Sequence, residues 1–192
     1  MAEYIFRRGK VNAVFGARGI GKTWVATGAA AQFLREGQEV SWFCFDCPSG
    51  NDSAARCLAH LYERLGLFGV GDRINRFHHY PTPPADWRKS NRYPVSPAGL
   101  VVFDGMREEH DHEAYIQPFH TSVPTATVVI TEADESRKPA HPLTDRVPLL
   151  YHLNDGTDIE GEDDGGEVVR LSLDEMFSPG RNSPTDHTFR IV

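Results

Sequence analysis

The sequence predicts an α/β fold, a doubly wound and mostly parallel sheet, from three observations. Short apolar runs of strand length alternate with helix-like segments through the first half. Two later runs, Leu100-Val101-Val102-Phe103 and Ala126-Thr127-Val128-Val129-Ile130, are apolar and β-branched, as expected of strands buried on both faces. A glycine-rich turn joins the first strand to the first helix.

Taken in order, Val11 to Phe15 reads as a buried strand that stops at Gly16. Thr23 to Glu36, rich in Ala, Leu and Phe, suits a packed helix, and Gly37 stands where a helix C-terminus would put it. Glu39 to Phe45 is the second strand. Leu58, Leu61, Tyr62 and Leu65 recur at helical spacing behind the capping candidates Asn51, Asp52 and Ser53, which predicts a helix from Asp52 to Gly66. Arg73 to Tyr80 is a candidate third strand. Pro81, Pro83, Pro84, Pro94 and Pro97 make the following stretch an irregular loop, because proline removes donors and fixes φ. Glu113 to Phe119 suits a short helix limited by Pro118.

Beyond Ser136 the pattern changes. Leu149 to Leu153, Val168 to Leu173 and His187 to Val192 read as strands with no helices between them, an extension expected to run antiparallel. Asp155 to Glu167, acidic and glycine-rich, reads as a solvated loop. The expected organisation is one domain over residues 1–192, with a nucleotide-binding core at about 10–135 and the extension at about 136–192.

The chain has 192 residues and a net charge of −7, so its surface as a whole repels phosphate at long range and any nucleic-acid contact must be local. No apolar run approaches the roughly 20 residues that span a bilayer, and the start MAEYIFRRGK lacks a signal-peptide core, so the reading is cytoplasmic with no membrane partner. Three cysteines do not make a disulfide framework, and no disulfide is expected.

Gly16-Ala17-Arg18-Gly19-Ile20-Gly21-Lys22-Thr23 fits G-x-x-x-x-G-K-[ST], the phosphate-binding Walker A loop, in its required setting after a strand and before a helix. Glycines let successive N–H groups turn toward phosphate oxygens, the helix N-terminus adds its positive end, Lys22 reaches the β/γ-phosphates and Thr23 ligates Mg²⁺. Trp24, the next residue, is grouped with this cofactor-binding set. Asp104 ends a hydrophobic strand and is the expected second Mg²⁺ partner, in the manner of a Walker B carboxylate. Asp46 ends the second strand, expected to lie next to the phosphate loop; it is a candidate base for orienting water, or else a turn-former before Pro48 and Gly50. Thr131 and Glu132 end the fourth strand, placed either to sense the γ-phosphate or to start a loop.

The segments FGARGIGKTWVATGAAAQFLREGQEVSWFCFD, LVVFDG and TVVITEADES resemble the nucleotide-binding core of RecA-like ATPases, in particular the RepA-like branch of replicative ring helicases. In that family an acidic residue, usually glutamate, ends the second strand as catalytic base; Asp46 holds that place, one methylene shorter. Gly180-Arg181-Asn182-Ser183-Pro184-Thr185 is similar to the family's K-x-R-N-G-P-T hairpin, whose arginine reaches the neighbouring subunit's γ-phosphate. Arg181 would be that finger, although Pro179 and Ser183 replace the family's lysine and glycine. The resemblance implies ATP and Mg²⁺ as ligands, ATP hydrolysis, a homo-oligomer of the hexameric kind, single-stranded DNA and replication proteins as partners, and a role in bacterial or phage DNA replication or recombination.

Other constellations compete. Cys44-x-x-Cys47 with Cys57-x-x-His60 has zinc-ligand types, against which stands the packing of small thiols as hydrophobes in a strand and a helix. Glu108 to Glu113 carries His110 and His112, spaced for one face only in an extended chain, and reads better as a solvated loop. Trp87-Arg88-Lys89-Ser90-Asn91-Arg92-Tyr93 interleaves basic and aromatic residues as single-strand binders do, or is a charged surface loop. A nucleotide-switched interaction module with vestigial hydrolysis, and a small-molecule kinase using this loop as a lid, remain the alternatives to a motor.

Overall fold

The computed structural model describes residues 4–6, 8–15, 19, 21–47, 51–81, 96, 98–107, 112–121, 126–132, 149–154, 168–172 and 190–191. In chain order these form β1 (Tyr4–Phe6), β2 (Val11–Phe15), α1 (Lys22–Arg35), β3 (Val40–Cys44), α2 (Asn51–Leu67), a 3-10 turn (Gly71–Arg76), β4 (Phe77–Pro81), β5 (Leu100–Met106), α3 (His112–Thr121), β6 (Thr127–Glu132), β7 (Leu149–Asn154), β8 (Val168–Ser172) and β9 (Arg190–Ile191). The fold is α/β, built on a seven-stranded sheet in the order β4-β3-β5-β6-β2-β7-β8. Each neighbouring pair in it runs parallel.

The apolar runs are continuous because both faces of the sheet are covered. Alternate side chains enter opposite cores. Val14, Val40, Trp42, Leu100, Val102 and Val129 pack with α1 and α2 through Ala26, Ala30, Phe33, Leu34, Leu61 and Leu65. Val11, Ala13, Phe43, Val101, Phe103, Val128 and Ile130 pack on the other face with Tyr115, Ile116 and Phe119 of α3. That division is the doubly wound arrangement predicted from the sequence. Phe103 anchors the second core, its ring 5.3 Å from Phe43, 5.8 Å from Tyr115 and 5.9 Å from Phe119 between centroids. Replacing Phe103 with alanine is expected to cost about 3–5 kcal/mol of unfolding free energy, readable by chemical denaturation.

Helix α1 ends as its sequence predicts. Gly37 takes φ 76°, and the N–H groups of Gly37 and Gln38 donate to the carbonyls of Leu34 and Phe33. The 3-10 turn then caps the same end from outside: Arg73 donates to the Leu34 carbonyl at 3.2 Å and Arg76 to that of Gly37 at 2.8 Å, cations placed at the negative pole of the helix. This corrects the expected third strand, because Gly71 to Arg76 is spent on that cap and β4 begins only at Phe77. Helix α3 also runs on through Pro118 to Thr121 rather than stopping at it.

The C-terminal extension departs from expectation in direction. β7 pairs parallel with β2, and β8 pairs parallel with β7. A parallel neighbour needs a return connection of a dozen or more residues, and the span 155–167 between β7 and β8 is long enough to make one without a helix pattern. β9 is short and pairs parallel with β1, a strand the sequence pattern did not single out, in a separate two-stranded sheet. No helix among the described residues is long and apolar enough to cross a membrane.

Candidate functional site

Register places one row of residues along the carboxyl edge of the sheet. Cys44 of β3 lies opposite Asp104 of β5, Asp104 opposite Thr131 of β6, Thr131 opposite Val14 of β2, and Val14 opposite Tyr151 of β7. In open parallel sheets this edge is where ligands bind. β2 delivers the glycine-rich turn from the row, and α1 carries it away.

Within that turn Gly19 and Gly21 take φ 79° and 104°, left-handed values that a side chain would strain. Gly16, Ala17, Arg18 and Ile20 lie outside the described residues. Gly21 is the N-cap of α1, which has no side-chain cap bond and no acidic residue of its own in its first turn, so its positive end is not neutralised from within the helix. Lys22 opens the helix and is 9% exposed. Trp24 is partly buried against the core, edge-on to Phe68 with centroids 6.0 Å apart, and the Arg64 guanidinium sits 5.1 Å over its ring. Trp24 therefore packs between α1 and α2.

Thr23 and Asp104 meet. The Thr23 hydroxyl donates to Asp104 Oδ1 at 3.1 Å, and the Thr131 hydroxyl donates to the same oxygen at 2.6 Å. Thr131 in turn accepts the Gly105 N–H at 2.9 Å. Burial raises the Asp104 pKa, opposed by the Thr131 and Thr23 hydrogen bonds; the Asp46 charge raises it further, and Arg64 draws it down. A carboxylate held in that setting beside a hydroxyl is a hard, oxygen-only donor pair whose charge is undercompensated, the chemistry that suits Mg²⁺.

Asp46 stands one step along the row, just past β3. β5 and β6 both lie between β3 and β2, so β3 is not the strand next to β2 that the sequence reading expected. Asp46 is joined to the Asp104 end of β5: its Oδ1 accepts from Arg107 at 2.9 Å, and its carboxylate lies across the Cα of Gly105. Gly105 has φ 77° at an irregularity in the β5–β6 pairing, and a Cβ there would meet Asp46 Oδ2 at 2.5 Å. Gly105→Ala is expected to push the Asp46 side chain off this seat and to cost about 1–2 kcal/mol in backbone strain, measurable by thermal unfolding.

Cys57, on α2, is a free thiol whose pKa is raised by burial and by the charges of Asp104 and Asp46, so its sulfur stays protonated. His60 is exposed and lies 3.7 Å from Glu63 on the same helix, and neither it nor Cys57 is within ligand reach of the Cys44 and Cys47 sulfurs as a cluster. The four-residue zinc set considered from the sequence therefore does not assemble. Cys44 and Cys47 are joined by a disulfide, contrary to the expectation of none: the turn after β3 returns the chain so that their Cα atoms lie 5.6 Å apart. Three positions that sequence reasoning missed belong to this region. Arg107 and Arg64 are ordinary cations in sequence, and His79 is one of two adjacent histidines, so only three-dimensional placement distinguishes them.

Arg181, the candidate finger, lies outside the described residues, as do the 87–93 basic–aromatic stretch and Glu108 to Asp111. The side chains of His112, Glu113 and Glu132 are likewise outside the description.

No protein-family model and no curated protein matches the chain. Among solved structures, an ATPase domain is similar with a TM-score of 0.49 at 11% identity, covering 83% of this chain and 75% of that one. A likeness of that size carries no functional argument.

Proposed function

We propose that this chain is a Mg²⁺-dependent P-loop ATPase of RecA-like type, a single domain acting as a helicase-like motor in bacterial or phage DNA replication or recombination. The observation that supports it most is the Thr23–Asp104 hydrogen bond. Two residues far apart in sequence, each the Mg²⁺ partner that its own motif implies, reach across β6 to a common point beside the N-terminus of α1.

In this reading the Gly16–Thr23 backbone and Lys22 cradle the β/γ-phosphates, and Thr23 and Asp104 hold Mg²⁺, which supplies charge neutralisation for the phosphate oxygens. Asp46 orients water. Arg181 comes from a neighbouring subunit of a ring, a homo-oligomer of the hexameric kind, and single-stranded DNA and other replication proteins are the partners.

One observation favours a second reading. Asp46 is paired with Arg107 and seated on Gly105, so its carboxylate is already engaged. A nucleotide-switched interaction module, with vestigial hydrolysis, would hold it that way. ATP hydrolysis by the purified protein, with and without single-stranded DNA and beside Asp46→Ala, separates the two. The motor reading expects turnover stimulated by DNA and lost in the variant. ATP binding without turnover under either condition would leave the switch.

A further inference from the structure

The residues that close the turn around Asp46 are a chemical set that the nucleotide site does not use. Cys44 ends β3, Cys47 follows the turn, and His79 lies on the neighbouring strand β4, where Trp42 is its register partner. His79 Nε2 is 3.9 Å from Cys47 Sγ. The ligand atoms of all three lie within 4.8 Å of one another. Both sulfurs are sequestered, Cys44 at 6% and Cys47 at 5% exposure, and His79 is half-buried.

We infer that Cys44, Cys47 and His79 form a site for a divalent transition metal of the zinc class, which the reduced protein binds in place of the disulfide. Two thiolates and an imidazole are the donors such an ion selects, with a fourth position left for water or another group. A tetrahedral ion with about 2.3 Å to sulfur and about 2.0–2.1 Å to nitrogen sets its ligand atoms roughly 3.4–3.8 Å apart. The cluster spans little more than that, and opening the S–S bond lets the sulfurs separate to it. Burial lowers the His79 pKa, which leaves the ring neutral with a lone pair to offer at neutral pH.

The two states exchange with a balanced chemistry. A dithiol reductant attacks the Cys44–Cys47 bond and leaves as its own disulfide, having supplied two electrons and two protons to give two thiols. The cation then displaces those two protons as it binds the sulfurs. Ion and disulfide are alternative clasps on the same turn, Phe45 and Asp46. The metal site stands whether or not Asp46 works on water.

The test is a titration of the full chain with Co²⁺, then Zn²⁺. Thiol counting fixes the starting states: one reactive thiol, Cys57, when oxidised, and three after reduction. Expected for the reduced protein is one bound Co²⁺ showing a thiolate-to-metal charge-transfer band and the visible spectrum of a tetrahedral ion, both abolished by Zn²⁺. The oxidised protein should show neither. His79→Ala should weaken Co²⁺ binding by more than about tenfold, and Cys57→Ser should leave it unchanged. A reduced protein with three free thiols and no charge-transfer band would overturn the site. So would binding that Cys57→Ser abolishes and His79→Ala spares. Oxidised and reduced wild type form the primary comparison, so the outcome does not depend on any variant folding.

Discussion

Lys22→Ala is expected to lower Mg²⁺-dependent ATP turnover by about 10²–10³-fold, the usual cost of removing one preorganised donor from a developing anionic charge. The ammonium is buried where α1 begins, so its field acts through little solvent. Alanine is the best helix former, and the exchange keeps the first turn of α1 intact. The unfolding midpoint of the ligand-free variant should therefore stay within a few degrees of wild type. A variant that turns ATP over at the wild-type rate would mean that the glycine turn is a turn and nothing more.

Asp104→Asn should produce opposite effects in the empty and the loaded protein. Without ligand, the amide keeps an oxygen to accept from Thr23 and Thr131, and it removes a buried charge. Because folding raises the Asp104 pKa, ionised Asp104 opposes folding at neutral pH. Wild-type stability from this group therefore rises as pH falls through the raised value toward the ordinary carboxylate range, and the Asn variant should lack that rise. With Mg²⁺ and ATP the order reverses. A ligand at about 100 times its Kd stabilises by about 3 kcal/mol, and the variant should lose most of that gain. Thermal unfolding of both proteins, with and without Mg²⁺·ATP and across the acid range, reads all of these differences.

Much of the central sheet was legible because its signals are local. Continuous apolar strands, the positive-φ glycines of the phosphate turn and Gly37 behind α1 each declare themselves within a few residues. Thr23 and Asp104 were legible as separate motif positions, and their meeting follows once β6 separates the two strands by a single step. Direction in the C-terminal strands was not legible, because a parallel return through residues 155–167 carries no helix periodicity to announce it. Neither was the 3-10 cap, whose purpose is to satisfy carbonyls at the far end of α1. The Cys44–Cys47–His79 cluster depends on the β3–β4 register, a long-range property that no spacing within the chain encodes.

The claim that Thr23 and Asp104 form one half of a Mg²⁺·nucleotide site is tested most directly by equilibrium binding of a non-hydrolysable ATP analogue, measured with Mg²⁺ and with the metal chelated, for wild type and Asp104→Asn. Wild type is expected to bind saturably, with affinity that falls sharply when Mg²⁺ is removed, and the variant to bind weakly and without regard to Mg²⁺. Wild-type binding that ignores both Mg²⁺ and the loss of the Asp104 charge, or no binding at all, would contradict that claim.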